Sequence, residues 1–368
     1  MTERPTLAVG LMSGTSLDGM DAALVRFSGP TRAELVAFAH LPYTADYRRQ
    51  LEHGMAAGTT RELALLHAAI GAWAVEAVQQ VLALAHCKAS ELDLIAFHGQ
   101  TIWHEPPAVT WQLGEPALLA ETFGVRVVSN FRTRDVAAGG QGAPLVPMAD
   151  VLLFGGEQPR VLLNLGGMAN LTYVPHRAED EGAFAFDTGP GVALIDAVAR
   201  LVDPSLPYDV DGGLAARGAV DETLLASLLA DPFFSAPPPK STGRELFGSE
   251  YARRIHQARP GPDGVATAVA LTARSIADAI ARWVPAAREV VVSGGGCHHP
   301  GLFSALEQGL AAHGRQLQRF DALFFSGDAK EAVAFALLGY LTIHGQPGNL
   351  PRATGARGSR VLGMVTPA

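Results

Sequence analysis

Apolar and polar positions alternate in short blocks over the first forty residues. Residues 7–12 and 22–27 are apolar runs on either side of a small polar stretch, and 34–40 alternates. Runs of this length between glycines and small polar residues predict three consecutive strands. The period then changes. Residues 61–86 repeat apolar positions every three or four residues, which predicts one long helix. A strand over 92–97, a helix over 116–123 with proline in its first turn, and a strand over 125–129 follow. After the glycine-rich link 137–144 the pattern begins again. Strands are predicted over 161–165, 170–174 and 183–186, and helices over 192–201, 214–229 and 265–283. A strand over 289–293, a helix from about Pro300 and a helix over 329–343 complete it. A hairpin of strands followed by strand–helix units thus occurs twice, which is an α/β pattern in two related domains.

Composition narrows the class. The chain has 368 residues, 48% hydrophobic and 17% charged, enough for two cores. A net charge of −8 without a basic cluster argues against nucleic acid and membrane surfaces as partners. No signal peptide is evident at the N-terminus, and no apolar run is expected to span a membrane. Only Cys87 and Cys297 are present, so a disulfide framework is not indicated and a reducing cytoplasm fits.

Glycine is abundant, 40 residues, and it concentrates in three turns. The first is Gly14-Thr15-Ser16-Leu17-Asp18-Gly19-Met20-Asp21, the second contains Gly166 and Gly167, and the third is Gly294-Gly295-Gly296 followed by Cys297-His298-His299-Pro300. Backbone N–H groups of such turns can close on phosphate oxygens, and Asp18 or Asp21 can hold a hydrated Mg²⁺ or simply form the turn. Any one turn reads equally as a structural hairpin; three in domain-wise order point to a nucleotide. Phe186-Asp187-Thr188-Gly189-Pro190-Gly191 places an acid where a strand meets a turn opening a helix. Asp187 suits general-base work or, alternatively, an N-cap or Asx turn.

His98-Gly99-Gln100-Thr101-Ile102-Trp103-His104 is expected at the end of the 92–97 strand, where α/β sheets face ligands. Its polar and aromatic groups suit a sugar. His98 and His104 could ligate a metal, but no third ligand stands at useful spacing. Arg132 and Arg134 can bind a carboxylate bidentately or pair with Asp135, and Lys240 and Arg244 can do the same or remain solvated. No Walker lysine motif occurs, so phosphate would be held by glycine hairpins.

The segment Gly10–Asp21, the His98–His104 motif, residues 130–135 with the glycine link to Pro147, the 163–172 turn, the Asp187 motif and Pro239-Lys240-Ser241-Thr242-Gly243-Arg244-Glu245 together resemble the anhydro-N-acetylmuramic acid kinase family. The likeness runs on to Gly348-Asn349-Leu350-Pro351 and Thr354-Gly355-Ala356.

The resemblance implies two ribonuclease-H-like, actin-like ATPase domains flanking an ATP cleft. One would comprise 1–130 with about 331–368, the other 131–330. It implies ATP and Mg²⁺, hydrolytic opening of a 1,6-anhydro sugar and phosphorylation of its O6 in peptidoglycan recycling, by a cytoplasmic homodimer. Asp187 then stands at the catalytic base and Glu331 at an acidic position near the sugar. Residues 14–21 form the ATP phosphate segment, and Arg132 is a candidate for the lactyl carboxylate. His98, Gln100, Thr101 and Asp135 are further sugar candidates. Two positions depart from the family pattern: Val192 replaces a common Asn, and Cys297-His298-His299 replaces Gly-His-Asn.

Overall fold

The computed structural model describes residues 4–14 and 16–368. The chain divides into two units, 1–153 with 329–368, and 154–328.

In the first unit β1 (Thr6–Ser13), β2 (Gly19–Phe27) and β3 (Ala33–Pro42) form an antiparallel meander. β4 (Leu94–Glu105) then joins β1 in parallel, and β6 (Val127–Ser129) joins β4 in parallel; β5 (Val109–Leu113) folds back on β4. The second unit repeats the order. β7 (Arg160–Leu165), β8 (Met168–Val174) and β9 (Phe184–Pro190) form a meander, and β10 (Glu289–Ser293) and β11 (Gln316–Arg319) add in parallel beside β7. The sheet orders are β12-β6-β4-β1-β2-β3, with β12 (Met364–Thr366) at the edge, and β11-β10-β7-β8-β9. A three-strand meander extended by two parallel strands on the side of its first strand is the ribonuclease-H-like topology, here present twice.

β1 is apolar almost throughout because both of its faces are covered. Helix Thr60–Leu84 packs Ile70, Ala74 and Val78 on one face with Val9, Leu11, Ile95 and Phe97. Helix Lys330–Ile343, from the far end of the chain, lies on the other. It approaches so closely that a Cβ at Gly10 would fall on the Ala332 carbonyl, and one at Gly339 would sit 2.6 Å from the Ala96 Cβ. In the second unit helix Pro262–Trp283 fills the same role, with Val265, Leu271, Ile276 and Ile280 fully buried in the core.

Four expectations change. The first unit extends to Leu153, not 130, because buried Asp135 bonds to Asn349 and Thr354 of the C-terminal segment. The 214–229 helix is broken: a short 3-10 turn at Ala215–Arg217 ends at Gly218, whose Cα backs onto the Pro262 carbonyl, and Asp221 caps a new helix, Glu222–Leu229. β4 runs on through the His98–His104 motif and pairs with β5, a strand and helix Ala45–Ala57 having no counterpart in the sequence reading. Finally, helices Thr60–Leu84 and Pro262–Trp283 are long and apolar enough to cross a membrane by length and composition. Their apolar faces are the ones that pack on the two sheets.

Candidate functional site

In the first unit the turn between β1 and β2 is tied down from behind. The Gly14 carbonyl accepts from the Leu17 N–H at 3.3 Å and from Gln100 Nε2 at 3.1 Å. Ser13 Oγ donates to the Gly99 carbonyl at 3.0 Å, so the turn and the His98–Gln100 stretch are bonded together. Leu17 adopts φ +55° and buries its side chain, as does Met20, so these two can offer a ligand only their main chain. Gly19 is required by packing, since a Cβ would meet the His40 ring at 2.6 Å. Asp18 is exposed, with one oxygen accepting from Ser16 Oγ at 2.8 Å. Asp21 is paired with His40 Nδ1 at 2.7 Å. Thr15 lies outside the described residues.

His98 is buried and both ring nitrogens are engaged. Nδ1 lies 2.6 Å from the Gly99 carbonyl and Nε2 accepts from Arg132 Nε at 2.9 Å. Donor and acceptor roles then fix a neutral ring protonated at Nδ1, with no nitrogen left for a metal. Burial, with the Arg132 charge beside it, holds its pKa well below the usual histidine range. Arg132 also donates from Nη1 to the Gly142 carbonyl at 2.8 Å. Burial lowers its pKa to about 10, against the pull of Glu331 and Asp135. Gln100 is fully buried, and its Oε1 has no protein partner among the described residues. Thr101 accepts from Gln112 Nε2 at 3.3 Å, and His104 pairs with Thr110 Oγ1 at 2.9 Å. Glu331, in the first turn of helix Lys330–Ile343, retains solvent access. The surrounding protein still displaces enough water to raise its pKa, opposed by Arg132 and reinforced by Asp21 and Asp18.

Asp135 does not face outward. It has no exposed surface, and its carboxylate accepts from Gly142 N at 2.8 Å, Asn349 Nδ2 at 2.7 Å and Thr354 Oγ1 at 2.8 Å. Three donors consume it as a clamp between the glycine link and the C-terminal segment. Arg134 is exposed on the short helix Thr133–Ala137.

In the second unit Asp187 lies inside β9, opposite Asn170 of β8, and not in a turn. It caps no helix: helix Val192–Val202 begins at Gly191 without a side-chain cap. Its Oδ2 accepts instead from the Thr242 N–H at 2.8 Å, and its own N–H donates to the Lys240 carbonyl at 3.0 Å. Burial pushes the carboxyl up to about 6; the Thr242 N–H opposes this and Glu245 adds to it. Lys240 is half-buried, and its ammonium donates to the Phe233 carbonyl at 2.8 Å. Arg244 is exposed.

The Gly166 and Gly167 carbonyls accept from the N–H groups of Val192 and Gly191, each at 3.0 Å, and so cap helix Val192–Val202. Gly294, at φ +93°, and Gly296 back onto Leu165 with no room for a Cβ, whereas a Cβ at Gly295 would meet nothing within 4 Å. Two of the residues that depart from the family pattern have defined local contacts. Val192 lies against Gly296, where a Cβ would be 3.0 Å from its Cγ1. His299 is the N-cap of helix Pro300–Ala311: Nδ1 accepts from Leu302 N at 3.1 Å, as an Asn oxygen would, while Nε2 reaches buried Asp209 at 3.2 Å.

Sequence reasoning missed the Asp209–His299 pair and a buried ion pair between Lys330 and Asp150 at 2.8 Å. It also assigned no role to Asn349 and Thr354. No local pattern marks such partners; only their distance in the fold does. Among the described residues no group of three His, Cys, Asp or Glu converges as a metal cage.

The sequence pattern that defines anhydro-N-acetylmuramic acid kinase matches residues 6–368. A protein of that name from Gloeobacter violaceus is 44% identical, over 99% of each chain. One from Xanthomonas axonopodis pv. citri is 43% identical over 98% of each, and one from Bacillus cereus is 38% identical over 97% of this chain and 98% of its own. The match extends along almost the whole of every chain compared, and on that ground this chain belongs to the anhydro-N-acetylmuramic acid kinase family.

Proposed function

We propose that this kinase opens the 1,6-anhydro ring of 1,6-anhydro-N-acetylmuramic acid with water and transfers the γ-phosphoryl group of ATP to O6. The products are N-acetylmuramic acid 6-phosphate and ADP, in the recycling of cell-wall peptidoglycan by a cytoplasmic homodimer. One observation carries the reading: Asp187 is a half-buried carboxyl with a pKa raised to about 6, one oxygen fixed by Thr242 and the other accepting from no donor among the described residues. That is a base poised near neutral pH on a rigid strand.

Asp187 takes a proton from water as the water attacks the anomeric carbon. The C1–O6 bond breaks, and the freed O6 attacks the γ-phosphorus in line. Arg132, held by His98 and Gly142, retains Nη2 for the sugar's carboxylate. Gln100 Oε1, buried and without a partner among the described residues, can accept a hydroxyl or amide hydrogen, and Glu331 can hold a further hydroxyl. The main chain of residues 14–21 and of the Gly166, Gly167 and Gly294–Gly296 turns supports the phosphates and nucleoside of ATP. Gly295 in particular leaves open space where a side chain would project.

Mg²⁺ bound with ATP would supply charge neutralisation on the transferring group. The residues fit it through water: Asp18 is exposed with one oxygen taken by Ser16, and Asp18 and Asp21 both add negative field at Glu331.

The test is direct. The protein is incubated with ATP, Mg²⁺ and 1,6-anhydro-N-acetylmuramic acid in ¹⁸O-labelled water, and the 6-phosphate is sought by mass spectrometry. Label at C1 is expected. No product overturns the reading.

A further inference from the structure

The loop at 240–245 holds Asp187 at two points, and Lys240 holds the loop. Its Nζ donates to the Phe233 carbonyl at 2.8 Å and the Phe234 carbonyl at 3.3 Å, and lies 4.6 Å from the centre of the Phe233 ring and 5.9 Å from that of Phe186. Phe186 is the residue before Asp187. The Lys240 carbonyl takes the Asp187 N–H at 3.0 Å, and two residues on the Thr242 N–H grips Asp187 Oδ2 at 2.8 Å. Thr242 Oγ1 is buried with no protein partner among the described residues, so the main-chain N–H is the contact this loop makes with the carboxylate. The charged groups around this arrangement are Glu245 beside Asp187, and Arg282 of helix Pro262–Trp283 beside Lys240.

We propose that Lys240 is a positioning residue for the reaction: its ammonium pins the 240–245 loop to the Phe233 and Phe234 carbonyls, so that Thr242 fixes one oxygen of Asp187 and leaves the other turned to the attacking water. This rests on Asp187 acting as the base. A cation spent on two main-chain carbonyls and an aromatic face is not spent on substrate, which separates this role from the recognition of a sugar carboxylate.

Lys240→Met keeps the stem over Phe233 and removes the donors. With anhydrosugar, ATP and Mg²⁺, kcat is expected to fall about tenfold or more while both KM values stay within about threefold. The acid limb of kcat should move up by about one pH unit, since a carboxylate that loses an N–H donor binds its proton more tightly. Lys240→Arg, which can donate to both carbonyls, should restore the limb. Lys240→Gln, with a shorter and uncharged amide donor, is measured in parallel and decides the matter if the methionine variant does not fold. An unchanged kcat and limb, or a loss confined to the KM of the sugar, overturns the proposal. Asp187→Asn serves as the control: its inactivity beside an unaltered Lys240→Met enzyme refutes the role of Lys240 alone, whereas its full activity refutes the base itself.

Discussion

Arg132 Nε donates to His98 Nε2 at 2.9 Å, joining two motifs 34 residues apart in sequence. The bond fixes both partners. His98 is compelled to be the neutral Nδ1–H tautomer, and Arg132 gives up two of its three nitrogens to hold its own place. In nitrogen-edited NMR, His98 is expected to show no titration between pH 5 and 8, with Nε2 in the unprotonated range throughout. An imidazole that protonates near 6.5 would refute the arrangement. Arg132→Lys cannot span both His98 and the Gly142 carbonyl. It is expected to raise the KM for the sugar by about tenfold or more with the KM for ATP little changed.

Asp187→Asn should lower kcat by about 10²- to 10⁴-fold, the usual worth of a general base, while ATP still binds. In the wild type, the base must be ionised, so kcat should fall as pH drops through about 6. An acid limb near 4 would mean that an ordinary carboxylate, not this one, controls the rate.

The same carboxyl has a stability signature. Its pKa is raised from 3.8 to about 6 on folding, so the folded chain holds this proton more tightly. Stability contributed at Asp187 is therefore full below about 4 and is lost as pH rises to 6, at most about 3 kcal/mol. Asp187→Asn should raise the unfolding midpoint at pH 7.5 and leave it unchanged at pH 4, read by calorimetry. Equal effects at both pH values would count against the shift.

Asp135→Ala strands three donors, Gly142 N, Asn349 Nδ2 and Thr354 Oγ1, in the interior. The expected cost is about 3 kcal/mol or more, seen in urea unfolding. Were Asp135 instead a sugar ligand, the loss would appear in KM at unchanged stability.

Gly294→Ala and Gly295→Ala should separate fold from ligand. At Gly294, φ is +93° and a Cβ would lie 2.7 Å from Asn164 Oδ1, so stability is expected to drop by at least about 1–2 kcal/mol. At Gly295 the space is open, so the fold should be kept and ATP affinity lowered, as followed by calorimetric titration.

The period of the apolar residues carried the strands of both meanders and the long helix, since a buried face must repeat with the geometry of its element. The glycine turns and the sugar-side motif were visible as composition, yet their purposes were not. Gly19 and Gly294 answer to packing, Gly295 does not, and nothing in a run of glycines tells these apart. The 214–229 pattern predicts one helix, yet the chain is extended at Gly218, where the Pro262 carbonyl, distant in sequence, leaves no room for a Cβ.

Family membership and the repeated α/β order belong to the sequence alone, because they rest on long motifs and on periodicity, which are local properties. What each polar side chain does was decided by the tertiary structure. Asp135 and Asp187 look alike in the sequence, each an acid just past a strand-like run. One ends as a buried clamp with three donors and the other as a carboxyl with one donor and a raised pKa. The difference lies in what the C-terminal segment brings to Asp135 and the 240–245 loop brings to Asp187. A carboxyl's proton affinity is set by the donors and water around it, and these neighbours come from parts of the chain that sequence spacing does not bring together.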